Sequence, residues 1–258
     1  MQKKTTSIQV IERMTRLLDA IAAYDDAASL KFLSADTGLH PSTAFRILAS
    51  MTEHGFVERN ESGDYRLGRK LLQLGSRVNA RLDVRHEAHD IMQRLRDETG
   101  ESINLTVREG DQVVYVERAT ANRMMRVEQV IGSRAPLHVT AVGKLMLASS
   151  GGAAIEDYAT RTGLPGFTIN TLTDLQALKT EVQADLAQGY ALDNEEAELG
   201  VGCIGVLVHD SSGGVIAGLS VSAPIERRQD DWIPKVIDAA RELAVRMGYR
   251  EREQSRRR

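Results

Sequence analysis

The sequence predicts an α+β protein in two parts: a winged helix-turn-helix at the N-terminus and, beyond a helical linker, a larger domain of helices packed on an antiparallel sheet. Three observations predict it. The chain has 258 residues, which at roughly 100 to 200 residues per domain is the length of two. Three short helical stretches followed by a hairpin occupy its first quarter. After them, strand hairpins and helices come in separate runs, the pattern of helices segregated from an antiparallel sheet. The expected divisions are residues 1–68, a linker helix at 69–83, and residues 84–258.

In the first part, Val10, Ile11, Met14, Leu17, Leu18 and Ile21 recur at three-and-four spacing over residues 8–23, so a helix there needs a core to face. A second helical run, 30–36, ends at Thr37-Gly38-Leu39-His40. Pro41 then suits the first position of a third helix, where a missing N–H costs nothing. Along it Ala44, Ile47, Leu48 and Met51 can face inward, leaving Thr43, Arg46, Ser50 and Glu53 as a polar stripe. Helix, Gly-containing turn and helix are the order of a DNA-reading motif, in which the start of the second helix meets base edges. Ser42, Thr43 and Arg46 are the candidates for that contact. Gly55 ends the helix, and residues 56–67 read as a hairpin whose tip is flanked by Arg59 and Arg66, placed to meet phosphates. An ordinary packed subdomain with solvated arginines stays open as the duller reading.

Charge agrees with the first alternative. The net charge of −3 divides into +3 over residues 1–81 and −6 over the rest, so the N-terminal third is the better partner for nucleic acid. Hydrophobic residues at 42% and charged residues at 27% fit a globular protein rather than a disordered or fibrous one. No apolar run approaches the roughly 18 residues of a spanning helix, and the polar residues 1–6 open no signal-type segment, so a cytoplasmic protein with no membrane partner is expected. Cys203 is the single cysteine, which excludes an intrachain disulfide and a Cys-rich zinc site.

Leu71, Leu72, Leu74, Val78 and Leu82 mark the linker helix, and Ala88, Ile91, Met92 and Leu95 a further helix ending at Gly100. Strands are expected at 102–108, 112–119, 126–130, 203–208 and 215–222. Helical segments are expected at 140–148, 155–162, 174–188 and 231–247, with Thr173 and Gln176 as a capping box for the third.

Several chemical signatures fail on inspection. Gly200-Val-Gly-Cys-Ile-Gly fits G-x-G-x-x-G, but a strand follows where a dinucleotide site requires a helix. Gly143-Lys144 lacks the upstream Gly and the following Ser/Thr of a phosphate loop. No nucleotide cofactor is therefore expected. Cys203 as a nucleophile needs a base such as His138 or His209 within reach, and no spacing supplies one, so no catalytic residue is assigned. The histidines and the Glu195-Glu196 pair show no metal-ligand spacing, and the two carboxylates read as loop-ordering or solvated.

Three segments carry a family resemblance. Thr37-Gly-Leu-His-Pro-Ser-Thr-Ala-Phe-Arg-Ile-Leu with Gly55-Phe-Val, Pro136-Leu-His-Val-Thr-Ala-Val-Gly-Lys-Leu-Met-Leu-Ala, and Gly189-Tyr-Ala-Leu-Asp-Asn-Glu-Glu with Gly200-Val-Gly-Cys-Ile-Gly occur in that order. Together they resemble the isocitrate lyase regulator (IclR) family of repressors and activators. The resemblance spans nearly the whole chain and implies a winged helix, a linker helix and a GAF-like sensor domain. It also implies that the N-terminal helix and linker join subunits into a homodimer or a dimer-of-dimers tetramer. An effector pocket is implied at Ala141, Val142, Asp193, Cys203, Ser220 and Ser222, with Met124, Met125 and Val127 as its apolar wall. Amides at a helix start and serine hydroxyls suit a small carboxylate, aliphatic keto acid or aromatic, although Asp193 would repel it if ionised. Family members often carry a basic residue just before the Ser-Thr pair, and here His40-Pro41 stands there, so no operator preference carries over. The expected function is a regulator that binds double-stranded operator DNA and responds to a small organic acid. The alternative is a small-acid-metabolising enzyme with an N-terminal oligomerisation module, and a constitutive DNA binder is a third reading.

Overall fold

The computed structural model describes residues 8–24, 27–79 and 82–250; residues 1–6 and the side chain of Val78, both used above, lie outside what it describes. The described chain forms two compact units that meet in sequence near residue 81.

The first unit holds helices α1 (Gln9–Ala22), α2 (Leu30–Thr37) and α3 (Pro41–Glu53), the two-stranded sheet β1 (Val57–Arg59) and β2 (Tyr65–Leu67), and helix α4 (Arg69–Asn79). Ser29 starts α2 by accepting the Phe32 N–H, and Gly38 ends it in the left-handed conformation that a side chain resists. The turn then leads into α3 with Pro41 in its first turn, as the sequence predicts. Leu17 and Ile21 of α1, Leu33 of α2, Ala44, Leu48 and Met51 of α3, and Val57 and Tyr65 of the hairpin close one core. An isolated bridge between Ala28 and Tyr65 ties the stretch before α2 to the hairpin. One expectation is corrected here: the apolar stripe of α1 is only half used, because Val10 and Ile11 are exposed along with Ile8. α4 likewise leaves Leu72 and Leu74 exposed.

The second unit is a three-layer α/β/α sandwich. Its helices are α5 (Val84–Thr99), α6 (Ala141–Ser149), α7 (Gly152–Thr162), α8 (Leu175–Gln188) and α9 (Trp232–Arg246). Its strands are β3 (Ser102–Glu109), β4 (Gln112–Ala119), β5 (Arg134–Pro136), β6 (Ala191–Asn194), β7 (Val201–His209) and β8 (Val215–Pro224). They form one sheet in the order β5-β4-β3-β8-β7-β6, every neighbouring pair antiparallel. α5 and α9 cover one face through Ile91, Leu95, Val236 and Leu243. α6, α7 and α8 cover the other through Val142, Leu147, Tyr158 and Leu178.

Two local expectations change. Residues 126–130 form no strand; their backbone is held by side chains instead, with Arg118 donating to the Gln129 carbonyl and Ser102 Oγ to the Val127 carbonyl at 2.6 Å. The edge strand is β5, further along. The cap of α8 is Asp174, whose carboxylate accepts the Ala177 N–H at 2.8 Å, and not Thr173. Among the described residues, no helix is long and apolar enough to cross a membrane, and no cluster of three His, Cys, Asp or Glu side chains is placed to hold a metal ion.

Candidate functional site

The helix-turn-helix presents a polar face at the start of α3. Ser42 is exposed, its hydroxyl 2.8 Å from His40 Nδ1, and Arg46 is exposed one turn on with no carboxylate partner among the described residues. Thr43 lies between them, half-buried, at the edge of a groove that α1 completes with Arg13, a second cation that the sequence reading does not single out. On the hairpin, Arg59 donates from Nε to the Gly63 carbonyl at 2.9 Å and lies over the Tyr65 ring, 5.6 Å from its centre. Arg66 is bonded to Glu58 at 2.8 Å, and that hydrogen bond holds the Glu58 carboxyl below its ordinary value. The pair lies at the surface, where solvent and salt screen it.

The second unit contains a cavity of about 150 Å³ between the start of α6 and the sheet. Register explains its polar wall: Asp193 lies opposite Cys203, and Cys203 opposite Ser222, in one row across β6, β7 and β8. Ser220 is two residues along on the face it shares with Ser222, and Cys203 Sγ is 3.1 Å from Ser222 Oγ. Above this row stand Ala141 and Val142, in the first turn of α6. Thr140 caps that helix by accepting the Gly143 N–H at 3.2 Å, and it lines the cavity with Ala141 and Val142. All six of these sequence-named positions therefore line one cavity.

Met124, Met125 and Val127 do not. Met124 is fully exposed and Met125 largely so, because Arg227 holds the Met125 carbonyl at 3.0 Å and the side chains turn outward. The opposite wall comes instead from Thr106, Val113, Tyr115 and Arg134, which the sequence reading does not name.

Helix α6 reaches the sheet because two glycines admit it. A Cβ on Gly218 would lie 1.9 Å from Val142 Cγ1, and one on Gly205 would lie 2.8 Å from the Val142 backbone nitrogen. Gly202 in turn leaves room for Ile225, whose Cδ1 would be 2.6 Å from a Cβ there. Within the G-x-G-x-x-G run, packing thus explains Gly202 and Gly205, and a φ of +84° explains Gly200.

Burial governs the chemistry of the wall. It pushes Asp193 up to about 7, against the opposing effect of the Glu196 N–H it accepts at 2.8 Å. It raises the Cys203 thiol and the Tyr115 hydroxyl far above their usual ranges, with the nearby Asp193 adding to both. Cys203 therefore stays a thiol. His138 is no base for it, since Nδ1 is 2.7 Å from Tyr158 Oη and Nε2 is 3.0 Å from the Pro165 carbonyl.

Behind the cavity, Lys144 is fully buried, with Nζ 2.6 Å from Glu196 Oε1 and 3.5 Å from Glu181. Of the two alternatives for the Glu195-Glu196 pair, loop-ordering holds for both: Glu196 is buried and accepts the Asn194 N–H at 3.4 Å, and Glu195 accepts the Gly200 N–H at 2.7 Å. A lysine inside a helix amid apolar neighbours gives no signal of its partner, which lies 52 residues away.

Comparison with known proteins agrees with this geometry. Residues 76–248 match the family described as bacterial transcriptional regulator IclR C-terminal, and residues 10–61 match the IclR helix-turn-helix domain. The HTH-type transcriptional regulator XynR of Escherichia coli is 34% identical over 247 residues, covering 94% of this chain and 98% of that one. The repressor BlcR of Agobacterium tumefaciens, a solved structure, is 26% identical with a TM-score of 0.74, covering 94% of this chain and 98% of its own. An IclR homologue of Microbacterium hydrocarbonoxydans, solved in complex with 4-hydroxybenzoate, is 26% identical with a TM-score of 0.60 and covers 93% of this chain and 99% of its own. With a helix-turn-helix in one unit and a walled cavity in the other, the chain belongs to the IclR family of transcriptional regulators, which bind DNA through the helix-turn-helix and respond to small-molecule effectors, and it is not an enzyme.

Proposed function

We propose that this regulator senses a small organic acid, an aromatic or keto carboxylate, in the cavity under α6. The carrying observation is that Ala141, Val142, Asp193, Cys203, Ser220 and Ser222 converge on one enclosed space beside a helix N-terminus. Its size favours a single ring or less, since an engineered cavity of about 150 Å³ holds benzene. The complex of the Microbacterium homologue with 4-hydroxybenzoate supports the aromatic choice.

Ser42, Thr43 and Arg46 read bases, while Arg59 and Arg66 hold phosphates. Residues 1–68 are the DNA-binding domain, 69–83 the linker and 84–258 the effector domain. The exposed apolar residues of α1 and α4 support a homodimer or a dimer of dimers, in which two recognition helices read two half-sites and effector binding alters their spacing. The protein works in the cytoplasm.

The test is a thermal-shift screen of small carboxylates on the full chain, 4-hydroxybenzoate and pyruvate included. A ligand that stabilises the protein and is recovered unconverted supports the reading; conversion, or no stabilisation by any acid, sinks it. For the DNA face, Arg46→Ala is expected to weaken operator binding and to change its salt dependence by about one counterion if the guanidinium meets a phosphate, or to relax preference at one base if it meets a base edge. Unchanged operator affinity and preference would remove Arg46 from the interface.

A further inference from the structure

We propose that the sensor takes its acid on a shared proton: Asp193 enters the complex as a carboxylic acid and donates its O–H to the ligand's carboxylate, so a ligand that meets an ionised Asp193 draws one proton from solvent as it binds. The inference rests on the organic-acid reading and names the chemistry that reading leaves open.

The argument is one of geometry. Asp193 is 2% exposed and lies on the cavity wall. Its Oδ1 accepts the Glu196 N–H at 2.8 Å, and its carboxyl is also hydrogen-bonded to the Ala197 N–H and the Cys203 thiol. The groups that face it from the packed elements are the Cys203 thiol on β7 and the Tyr115 hydroxyl on β4, neither of them a cation. Among the described residues, no nearby cation is bonded to its carboxyl. Lys144 of α6 is bonded to Glu196 and Glu181, with Asp185 of α8 beside them. Arg228 donates to the Asp193 backbone carbonyl at 2.9 Å, and Arg134, at the β5 side of the cavity, is paired with Glu109. Glu198, also on the cavity wall, adds a negative charge. An ionised Asp193, 2% exposed and bonded to no cation among the described residues, would thus meet an anionic ligand on the wall of the same cavity, where burial of its carboxyl strengthens the repulsion. Two carboxyl groups brought together in such a place keep one proton between them.

The balance is simple. Where Asp193 is already neutral, the O–H···O⁻ bond forms with no net uptake. Where it is ionised, one proton enters with the ligand, and no covalent bond is made or broken. Affinity is then flat below the midpoint of Asp193 and falls about tenfold per pH unit above it. Lys144 acts as a positioning residue, because its bond to Glu196 keeps its ammonium out of the cavity.

The experiment uses the full chain and 4-hydroxybenzoate as probe. Calorimetric titration in two buffers of different ionisation enthalpy should give uptake approaching one proton per ligand at about pH 8.5, with Kd rising about tenfold from about pH 7.5. Asp193→Asn, which keeps a donor that does not titrate, should bind with no proton uptake and less than about a twofold change over that range. An infrared difference spectrum of the unliganded protein against that variant should show the C=O stretch of a protonated carboxyl at neutral pH. Binding without proton uptake by the unmodified chain, or uptake that persists in Asp193→Asn, overturns the shared proton and leaves the organic-acid reading standing. Failure of 4-hydroxybenzoate and every other acid to bind at any pH overturns both. Should the variant not fold, the two-buffer titration of the unmodified chain decides alone.

Discussion

Lys144 carries its ammonium into the effector domain without exposed surface, and what makes this tolerable is the Glu196 carboxylate 2.6 Å away. A buried charge stripped of its partner is costly, by about 3–5 kcal/mol in comparable pairs, whereas replacing both partners by apolar groups is often close to neutral. Lys144→Met is therefore expected to lower the unfolding free energy of the effector domain by that amount, and Lys144→Met with Glu196→Leu to recover most of it. Urea unfolding followed by circular dichroism checks both variants. Asp185 makes a second case at this scale. Its Oδ2 is buried with no partner, and burial pushes its carboxyl up to about 7, with Lys144 pulling it down and Glu181 and Glu196 pushing it further up. The folded protein then holds a proton that the unfolded chain releases near pH 4. For such a raised carboxyl, the stabilising contribution is complete below the unfolded value and is lost as pH rises through about 7. Asp185→Asn should flatten that decline and make the domain more stable than the parent at pH above 7, measured as unfolding midpoints across the range.

Helix α6 depends on Gly205 and Gly218 more than on its own sequence, since those two positions let Val142 touch the sheet backbone. Gly218→Ala puts a methyl into Val142, and overpacking of this sort costs about 1–3 kcal/mol and shifts backbone. The expected result is a folded protein of reduced stability whose response to acids in the thermal-shift screen is lost; a preserved ligand shift would show that α6 tolerates displacement. The same element explains what the sequence could reveal. Periodicity and caps are local, so α1 to α3, the hairpin and most strands of the second unit are legible in it. The row Asp193, Cys203, Ser222 follows from strand register, which only the family resemblance supplied. Residues 126–130 carry two valines and read as a strand, yet side chains of β3 and β4, Ser102 and Arg118, hold their carbonyls in place of a strand backbone. Thr173 and Asp174 are both capable caps, and only the course of the chain decides between them. Tyr115 and Arg134 stayed hidden because their place in the cavity depends on β4 and β5 lying at one side of a six-stranded sheet.

At the scale of the molecule, the two units have separate cores, one built on Leu17, Leu33 and Leu48 and the others on the two faces of the large sheet. An effector confined to the second unit stabilises that unit alone, by about 2.7 kcal/mol at a hundred times its Kd. Scanning calorimetry with a saturating acid should therefore move the transition of the effector domain and leave that of the helix-turn-helix in place; a rise of both together would mean that they unfold as one. The cavity beneath α6 has one more consequence, for anyone wishing to retune what the protein reports. Its floor cannot recede, because the Val142 contact with Gly205 and Gly218 is already at its limit. On the proposed reading of the cavity, room for a bulkier acid has to come from β4, and from Tyr115 rather than Val113, which is fully buried in the core. A biosensor built on this scaffold is therefore recoded first at Tyr115, with α6 left as it is.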